Sequence, residues 1–214
     1  MVGLPPDDEF WQRQRDQLRI PRIAPITDLV GTLREQRSCD VPDVAPMYGG
    51  VEARLLTVPA SPGRQTRAAP GGTGFLCVEN PDLAAATVKR LMNEAGISPR
   101  EMTPWNACPW FTEGTGPSPA DLEAGVETWV QLIRLLPDLR VVILMGRAAQ
   151  NGWRRVRQRH PDLLPEDHVK VICTFSPGSR GLVASGSCRA GKTAGGPRDG
   201  LSPGSGIHQD LISV

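Results

Sequence analysis

Residues 102–110 have the sequence MTPWNACPW and lie mid-chain, between two segments with helical periodicity. They are predicted to form a short buried strand that runs into a loop at Asn106. The side-chain amide of Asn106 offers one carbonyl acceptor and a pair of N–H donors. That chemistry suits the edge of a flat heterocycle such as a nucleobase. The structural alternative is that Asn106 caps a turn and that the two tryptophans belong to the core.

The composition suits one soluble α/β domain with a sizeable core, since 39% of the 214 residues are hydrophobic and 22% are charged. The formal net charge of +1 gives no global attraction to nucleic acid, so any DNA-binding surface must be local. No apolar run approaches the ~20 residues of a membrane span, and no signal pattern opens the chain. We therefore expect a cytoplasmic protein without membrane contact. The five dispersed cysteines include no CxxC pair, so we expect reduced thiols, no metal site and no cofactor.

Hydrophobic periodicity predicts strands and helices that alternate between residues 54 and 174. The predicted strands cover residues 54–58, 102–105, 140–145 and 169–175. The predicted helices cover residues 82–95, 118–136 and 146–160, and Ser118 with Pro119 and Asp121 gives the second of them a clear start signal. Right-handed crossovers then predict an α/β fold in which helices cover both faces of a four-stranded parallel sheet.

The two ends of the chain differ from this central region. Residues 1–50 are predicted to be an N-terminal helical extension, with helices over 7–20 and 27–33 and a linker or extended loop over 38–50. The α/β domain covers residues 51–182. Residues 183–214 are rich in Gly, Ser, Pro and Arg and are predicted to be a flexible or irregular tail. Residues 186–193 match the P-loop pattern, but the glycines and proline that follow make a poor helix, which argues against nucleotide hydrolysis.

Three loops follow predicted strands, over residues 59–82, 106–117 and 176–182. The carboxyl ends of parallel strands meet at one edge of the sheet, where α/β folds bind ligands, so these loops are expected to gather there. Phe75 in the first loop has two interpretations. It is either a stacking platform for a flat ligand or a plug that pins the loop to the core.

The ordered set of short motifs resembles the uracil-DNA glycosylase superfamily over about residues 50–182. The motifs are ASPG at 60–63, GF at 74–75, NPD at 80–82, WNACPW at 105–110, GRA at 146–148 and TFSPGSRGL at 174–182. The resemblance implies a three-layer α/β/α fold whose four parallel strands lie in the order 2-1-3-4. It also implies a monomeric enzyme that extrudes uracil, or a related deaminated base, from DNA and cleaves its N-glycosidic bond.

The same resemblance implies which residues contact the base. Phe75 stacks on it, Asn106 reads the uracil edge, and Ser61 and Gly63 of the first motif lie beside it. Contacts to DNA are expected from arginines on or next to the three loops. These are Arg64, Arg67, Arg147 and Arg180.

Two motifs depart from the family pattern. The first lacks the glutamate of Glu-Ala-Pro-Gly, which leaves Glu79 or Asp82 as the candidate to position the attacking water. The last has Ser176 at the position of the family histidine, which donates to the departing base anion. Loss of such a donor typically costs about 10²–10³ in rate. Ser176 and Glu79 are thus the candidate catalytic residues.

Three functions remain open at this point. The first is a weak or narrow DNA base-excision glycosylase. The second is a non-catalytic member of the superfamily that binds DNA containing unusual bases. The third is an unrelated α/β enzyme.

Overall fold

The computed structural model describes residues 6–68, 70–112, 114, 116–164 and 169–178. The P-loop-like segment 186–193, the predicted tail 183–214 and Arg180 lie outside the described residues. The helices are α1 (Asp8–Asp16), α2 (Ala24–Arg37), α3 (Leu83–Glu94), α4 (Pro119–Arg134) and α5 (Arg147–Arg159). The strands are β1 (Asp43–Val44), β2 (Leu55–Val58), β3 (Phe75–Leu76), β4 (Met102–Pro104), β5 (Val141–Met145) and β6 (Lys170–Thr174).

Four of these strands form one parallel sheet in the order β4-β2-β5-β6. Counted along the chain, this is the order 2-1-3-4, so the sheet expected from the sequence is confirmed. Leu55 of β2 lies opposite Met102 on one side and Val141 on the other. All four residues of β2 are buried, as expected for a central strand covered on both faces.

Helices cover the two faces of this sheet and complete the three-layer α/β/α fold. α4 joins β4 to β5 and α5 joins β5 to β6, so both crossovers run in the same direction across the sheet. The two helices pack against each other. α3 joins β2 to β4, which lies in the opposite direction, so a right-handed crossover places it on the other face.

The start of α4 agrees with its sequence signal. The Ser118 hydroxyl accepts from the Asp121 N–H at 3.1 Å, and the Asp121 carboxylate accepts from the Ser118 N–H at 2.9 Å. Each side chain thereby satisfies a backbone donor that the first helical turn leaves without an intrahelical partner. The Ser118 hydroxyl also donates to the Asp121 carboxylate at 2.7 Å. This bond, together with the one from the Ser118 N–H, favours the charged carboxylate and keeps the pKa of Asp121 below its usual range.

Of the two interpretations of residues 38–50, the structure agrees with an extended loop and not with a free linker. Residues 41–46 are buried, and β1 pairs in parallel with β3, an interaction that the sequence did not suggest. Arg34 of α2 makes this burial possible, because its guanidinium donates to the Val41 carbonyl at 2.8 Å and to the Asp43 carboxylate at 2.9 Å. The segment is therefore part of the packed domain.

Both N-terminal helices differ in length from their predictions. α1 ends at Asp16, before residue 20, whereas α2 extends over Ala24–Arg37, beyond 27–33. Pro25 lies in the first turn of α2, where its missing N–H costs nothing, so the helix begins earlier than residue 27. The buried face of α2 belongs to the same hydrophobic core as the sheet. In the described parts of the chain, none of the helices has the length and apolar character needed to cross a membrane.

Candidate functional site

The segment after β4 continues beside the end of β2. Three of its backbone N–H groups each donate, at 2.9 Å, to a carbonyl at or just after the end of β2: Trp105 to Thr57, Ala107 to Pro59 and Cys108 to Ala60. These bonds extend the parallel pairing past the strand ends. They hold the first loop, residues 60–63, against the segment that carries Asn106.

Helix α4 fixes the same segment from the other side. The Trp129 indole N–H donates to the Ala107 carbonyl at 3.1 Å. A Cβ at Gly125 would lie only 2.5 Å from that carbonyl oxygen, so the close approach of α4 requires a glycine there. Trp105 and Trp110 are both buried in the core, as the structural interpretation of this stretch predicts. Asn106 is thus carried on a rigid backbone.

A cavity of about 240 Å³ opens at this edge of the sheet. All three sequence-predicted loops contribute to it, through Ser61 and Gly63 of the first, Asn106 of the second and Ser176 of the third. Much of the remaining wall is apolar and includes Leu76 and Val88 of the described residues. Pockets that bind small flat ligands have this character, with a few polar groups on a largely apolar wall.

Two buried donors of this wall have no hydrogen-bond partner among the described residues, namely the Asn106 Nδ2 and the Trp105 Nε1. Asn106 is only 1% exposed, and an unsatisfied buried donor typically costs about 1–3 kcal/mol. Asn80 borders the same cavity, yet it donates to the Phe75 carbonyl at 2.9 Å and accepts from the Thr73 hydroxyl at 2.8 Å. Asn80 therefore shapes its loop, whereas the Asn106 amide N–H has no such partner among the described residues.

Ser176 lies two residues after the end of β6, on the rim of the cavity, where it is exposed. Its backbone and Cβ pack against Gly146, which has a φ of 89°. A Cβ at Gly146 would lie 3.2 Å from the Ser176 Cβ, so a side chain there would be both strained and crowded. Glycine at this position allows the third loop to reach the cavity.

Residues 46–187 match the family model of the Uracil DNA glycosylase superfamily. The chain belongs to this superfamily. Membership supports a hydrolase of the glycosylase type in general. No curated protein matches the sequence. Among solved structures, a variant of mimivirus UNG in complex with UGI is similar over 81% of this chain and 70% of that chain, with 10% sequence identity and a TM-score of 0.38.

For a member of the uracil-DNA glycosylase superfamily, the position of Phe75 is unexpected. The residue is 2% exposed and does not border the cavity. Its ring stacks on Trp11 of α1, with the centroids 6.1 Å apart and the planes 14° from parallel. This is the plug arrangement that the sequence left open. Leu76, the next residue of β3, borders the cavity instead.

The two candidate acids occupy different places. The Glu79 carboxylate accepts from the Lys89 ammonium at 2.6 Å and borders a separate groove beside α1. Asp82 borders the cavity and caps α3, because its Oδ1 accepts from the Ala85 N–H at 2.9 Å. The structure therefore brings Asp82, and not Glu79, together with Asn106 and Ser176.

Sequence reasoning did not identify Tyr48, which borders the cavity from the segment predicted to be a linker. Its hydroxyl oxygen accepts from the Val78 N–H at 2.8 Å. Burial raises the pKa of Tyr48 well above its ordinary value and raises the pKa of the nearby Cys77 thiol to about 12. Both groups are neutral at physiological pH, so this wall offers no thiolate nucleophile.

Three of the arginines expected to contact DNA, Arg64, Arg67 and Arg147, do not border the cavity. Arg64 is exposed on a short turn next to the first loop, and Arg147 is exposed as the first residue of α5. Arg180 is outside the described residues. Within the described ranges, His, Cys, Asp and Glu side chains form no group of three or more that could hold a metal ion.

Proposed function

We propose that this protein is a DNA glycosylase that removes uracil, or a related deaminated base, from DNA. The observation that carries the proposal is the Asn106 amide N–H, which is buried at the cavity and lacks a partner among the described residues. A base extruded from the DNA would enter the cavity, and a uracil carbonyl would accept this hydrogen bond. The Trp105 N–H at the same cavity is a second donor for a base that carries two carbonyl groups.

In this proposal the donors act on the leaving group. When the N-glycosidic bond breaks, its electron pair remains on the base, and negative charge develops on the carbonyl oxygens. Fixed N–H groups stabilise such charge more than they stabilise the neutral base, so they lower the barrier. A water molecule then forms the bond to the sugar carbon and gives its proton to the Asp82 carboxylate.

A non-catalytic DNA-binding role is the second candidate. Two observations favour it. Ser176 stands at the position of the family histidine, and the first motif, residues 60–63, carries no carboxylate. A chain of this kind would still bind an extruded base through Asn106, but it would release the base unchanged.

An excision assay separates the two roles. The purified protein is incubated with single-stranded and duplex oligonucleotides that carry one uracil, and the abasic product is cleaved with alkali. An otherwise identical thymine oligonucleotide is the control. Strand cleavage only with uracil supports the glycosylase. Tighter binding of the uracil strand without any cleavage supports the non-catalytic role, and equal binding of both strands contradicts both roles.

Replacing Ser176 with histidine is expected to raise uracil excision by about 10-fold, because an imidazole N–H is a stronger donor to a developing anion than a hydroxyl. The site has room, since Ser176 is exposed on the rim. The companion change Gly178→Ser restores the family motif, and its new Cβ would lie 4.0 Å from the Ser176 oxygen, an ordinary contact. Gln131→His, at an exposed site of α4 outside the cavity, controls for the added imidazole. Unchanged excision in a folded double variant would contradict the donor explanation.

Binding to DNA is expected to weaken as salt rises, because arginines that neutralise phosphates release counterions. Arg64→Gln and Arg147→Gln should each reduce the slope of log affinity against log salt by about 0.7–0.9. Arg90→Gln is the matched control, since Arg90 lies on α3 and pairs with Glu94 at 2.6 Å. The slopes are obtained from DNA affinities measured by fluorescence anisotropy at salt concentrations of about 50 to 200 mM. Affinity that is flat with salt would contradict this prediction.

A further inference from the structure

A second and larger groove, of about 900 Å³, lies on the other side of the first loop. Residues 60–63 border both this groove and the base cavity, so the loop is a thin wall between them. The groove is also lined by Arg64, Arg67 and Phe111. A strand of DNA whose extruded base occupies the cavity must pass over or beside this wall, which brings its neighbouring nucleotide to the groove.

Phe111 lines the groove and is half-buried. The Arg67 guanidinium lies over its ring, 4.4 Å from the centroid. Asp40 holds this pair in place, since its carbonyl accepts from the Phe111 N–H at 3.1 Å and its carboxylate accepts from Arg67 Nε at 3.4 Å. The aromatic ring and the guanidinium therefore form one stacked platform, and Asp40 bonds to both of its members.

The groove is also positively charged. Arg64 is exposed and has no ion pair among the described residues. The Arg67 side chain is 42% exposed and shares its charge with Asp40 across a long contact. Proteins that bind single-stranded nucleic acid combine cations along the phosphates with aromatic rings on which unpaired bases stack. A base inside a duplex is already stacked and paired, so it cannot use such a platform.

We propose that this groove binds the unpaired nucleotide next to the extruded base, with its base stacked on the Phe111–Arg67 platform and its phosphate beside Arg64. This assignment rests on the proposed function, because the base cavity fixes which nucleotide reaches the groove. It names the substrate class: single-stranded DNA, or an unpaired region within a duplex, is preferred over fully paired DNA.

The test compares Phe111→Leu with Phe111→Tyr, which keeps the ring. Affinities are measured by anisotropy for a fluorescein-labelled single-stranded oligonucleotide with one uracil and for the same strand in a duplex. Phe111→Leu should weaken binding of the single strand by about 10-fold, since stacking on an aromatic ring is worth that much per base. Binding of the duplex should change by no more than about twofold, and Phe111→Tyr should match the parent. Equal losses on both DNAs, or no loss, would overturn the proposal.

A change in the DNA tests the same contact without any change in the protein. An abasic analogue replaces the nucleotide on the 5′ side or the 3′ side of the uracil. One of these two strands should lose about 10-fold in affinity for the parent protein, and Phe111→Leu should then cause little further loss. Additive losses would show that the missing base and Phe111 do not touch.

A matched thymine strand separates this proposal from the proposed function. Preference for uracil with no effect of Phe111→Leu overturns the groove assignment alone. Equal affinity for the uracil and thymine strands, together with a loss of affinity in Phe111→Leu that is confined to single-stranded DNA, supports strand binding in the groove and contradicts the proposed function. Arg90→Gln, outside the groove on α3, should leave all of these affinities unchanged.

Discussion

Replacement of Asn106 by alanine is expected to lower kcat/KM for uracil excision by about 10²–10³-fold, the usual cost of removing one donor to a developing anion. The free energy of unfolding should change by less than about 1 kcal/mol. The removed Nδ2 has no hydrogen-bond partner among the described residues, and its loss relieves an unsatisfied buried donor. The side chain also borders an existing cavity, so truncation leaves little new void.

Thr103→Val is the matched control for stability. Thr103 lies three residues earlier on β4, is fully buried, and donates from its hydroxyl to the Gly50 carbonyl at 2.7 Å. The isosteric valine should lower the free energy of unfolding by about 1–3 kcal/mol because the carbonyl loses its partner. Excision per folded molecule should be unchanged. Asn106→Ala with intact excision and a loss of several kcal/mol would instead make Asn106 a structural residue.

Local signals predicted the sheet and its helices correctly. The strands of the sheet are short runs rich in apolar residues, helical periodicity separates successive strands, and the right-handed crossover rule limits how such strands are ordered. The start of α4 was readable because Ser118, Pro119 and Asp121 act within a single turn. The position of Asn106 at the edge of the sheet was readable because a polar residue at a strand end in an apolar stretch is conspicuous.

Contacts between distant segments could not be read in this way. The interaction of Phe75 with Trp11 depends on how α1 docks on β3, and no local pattern records that docking. Residues 38–50 are rich in proline and glycine, yet Arg34 donates to the Val41 carbonyl and to one oxygen of the buried Asp43 carboxylate, and these bonds hold the segment against α2. Tyr48 belongs to this segment, so its place at the cavity became visible only in the structure.

Assignment of the water-positioning acid also depends on packing. Glu79 and Asp82 are three residues apart, and the sequence did not distinguish them. Glu79 turns away from the cavity to pair with Lys89 at 2.6 Å, with 19% of its side chain exposed. Asp82 is the N-cap of α3, and this position places it beside the cavity. One of its carboxylate oxygens accepts from the helix, so in the proposed reaction the second oxygen positions the water.

Asp82→Asn is therefore expected to lower uracil excision by about 10²-fold, the lower end of what a positioned general base contributes. Helix α3 should be unaffected, because asparagine caps a helix about as well as aspartate. Glu79→Gln is the paired control, and it should change excision by no more than about twofold while the lost ion pair costs at most about 1 kcal/mol. Single-turnover rates report the chemical step, and thermal unfolding reports the cap. Loss of excision in Glu79→Gln with Asp82→Asn unchanged would assign the water to Glu79 and would require the first loop to rearrange when DNA binds.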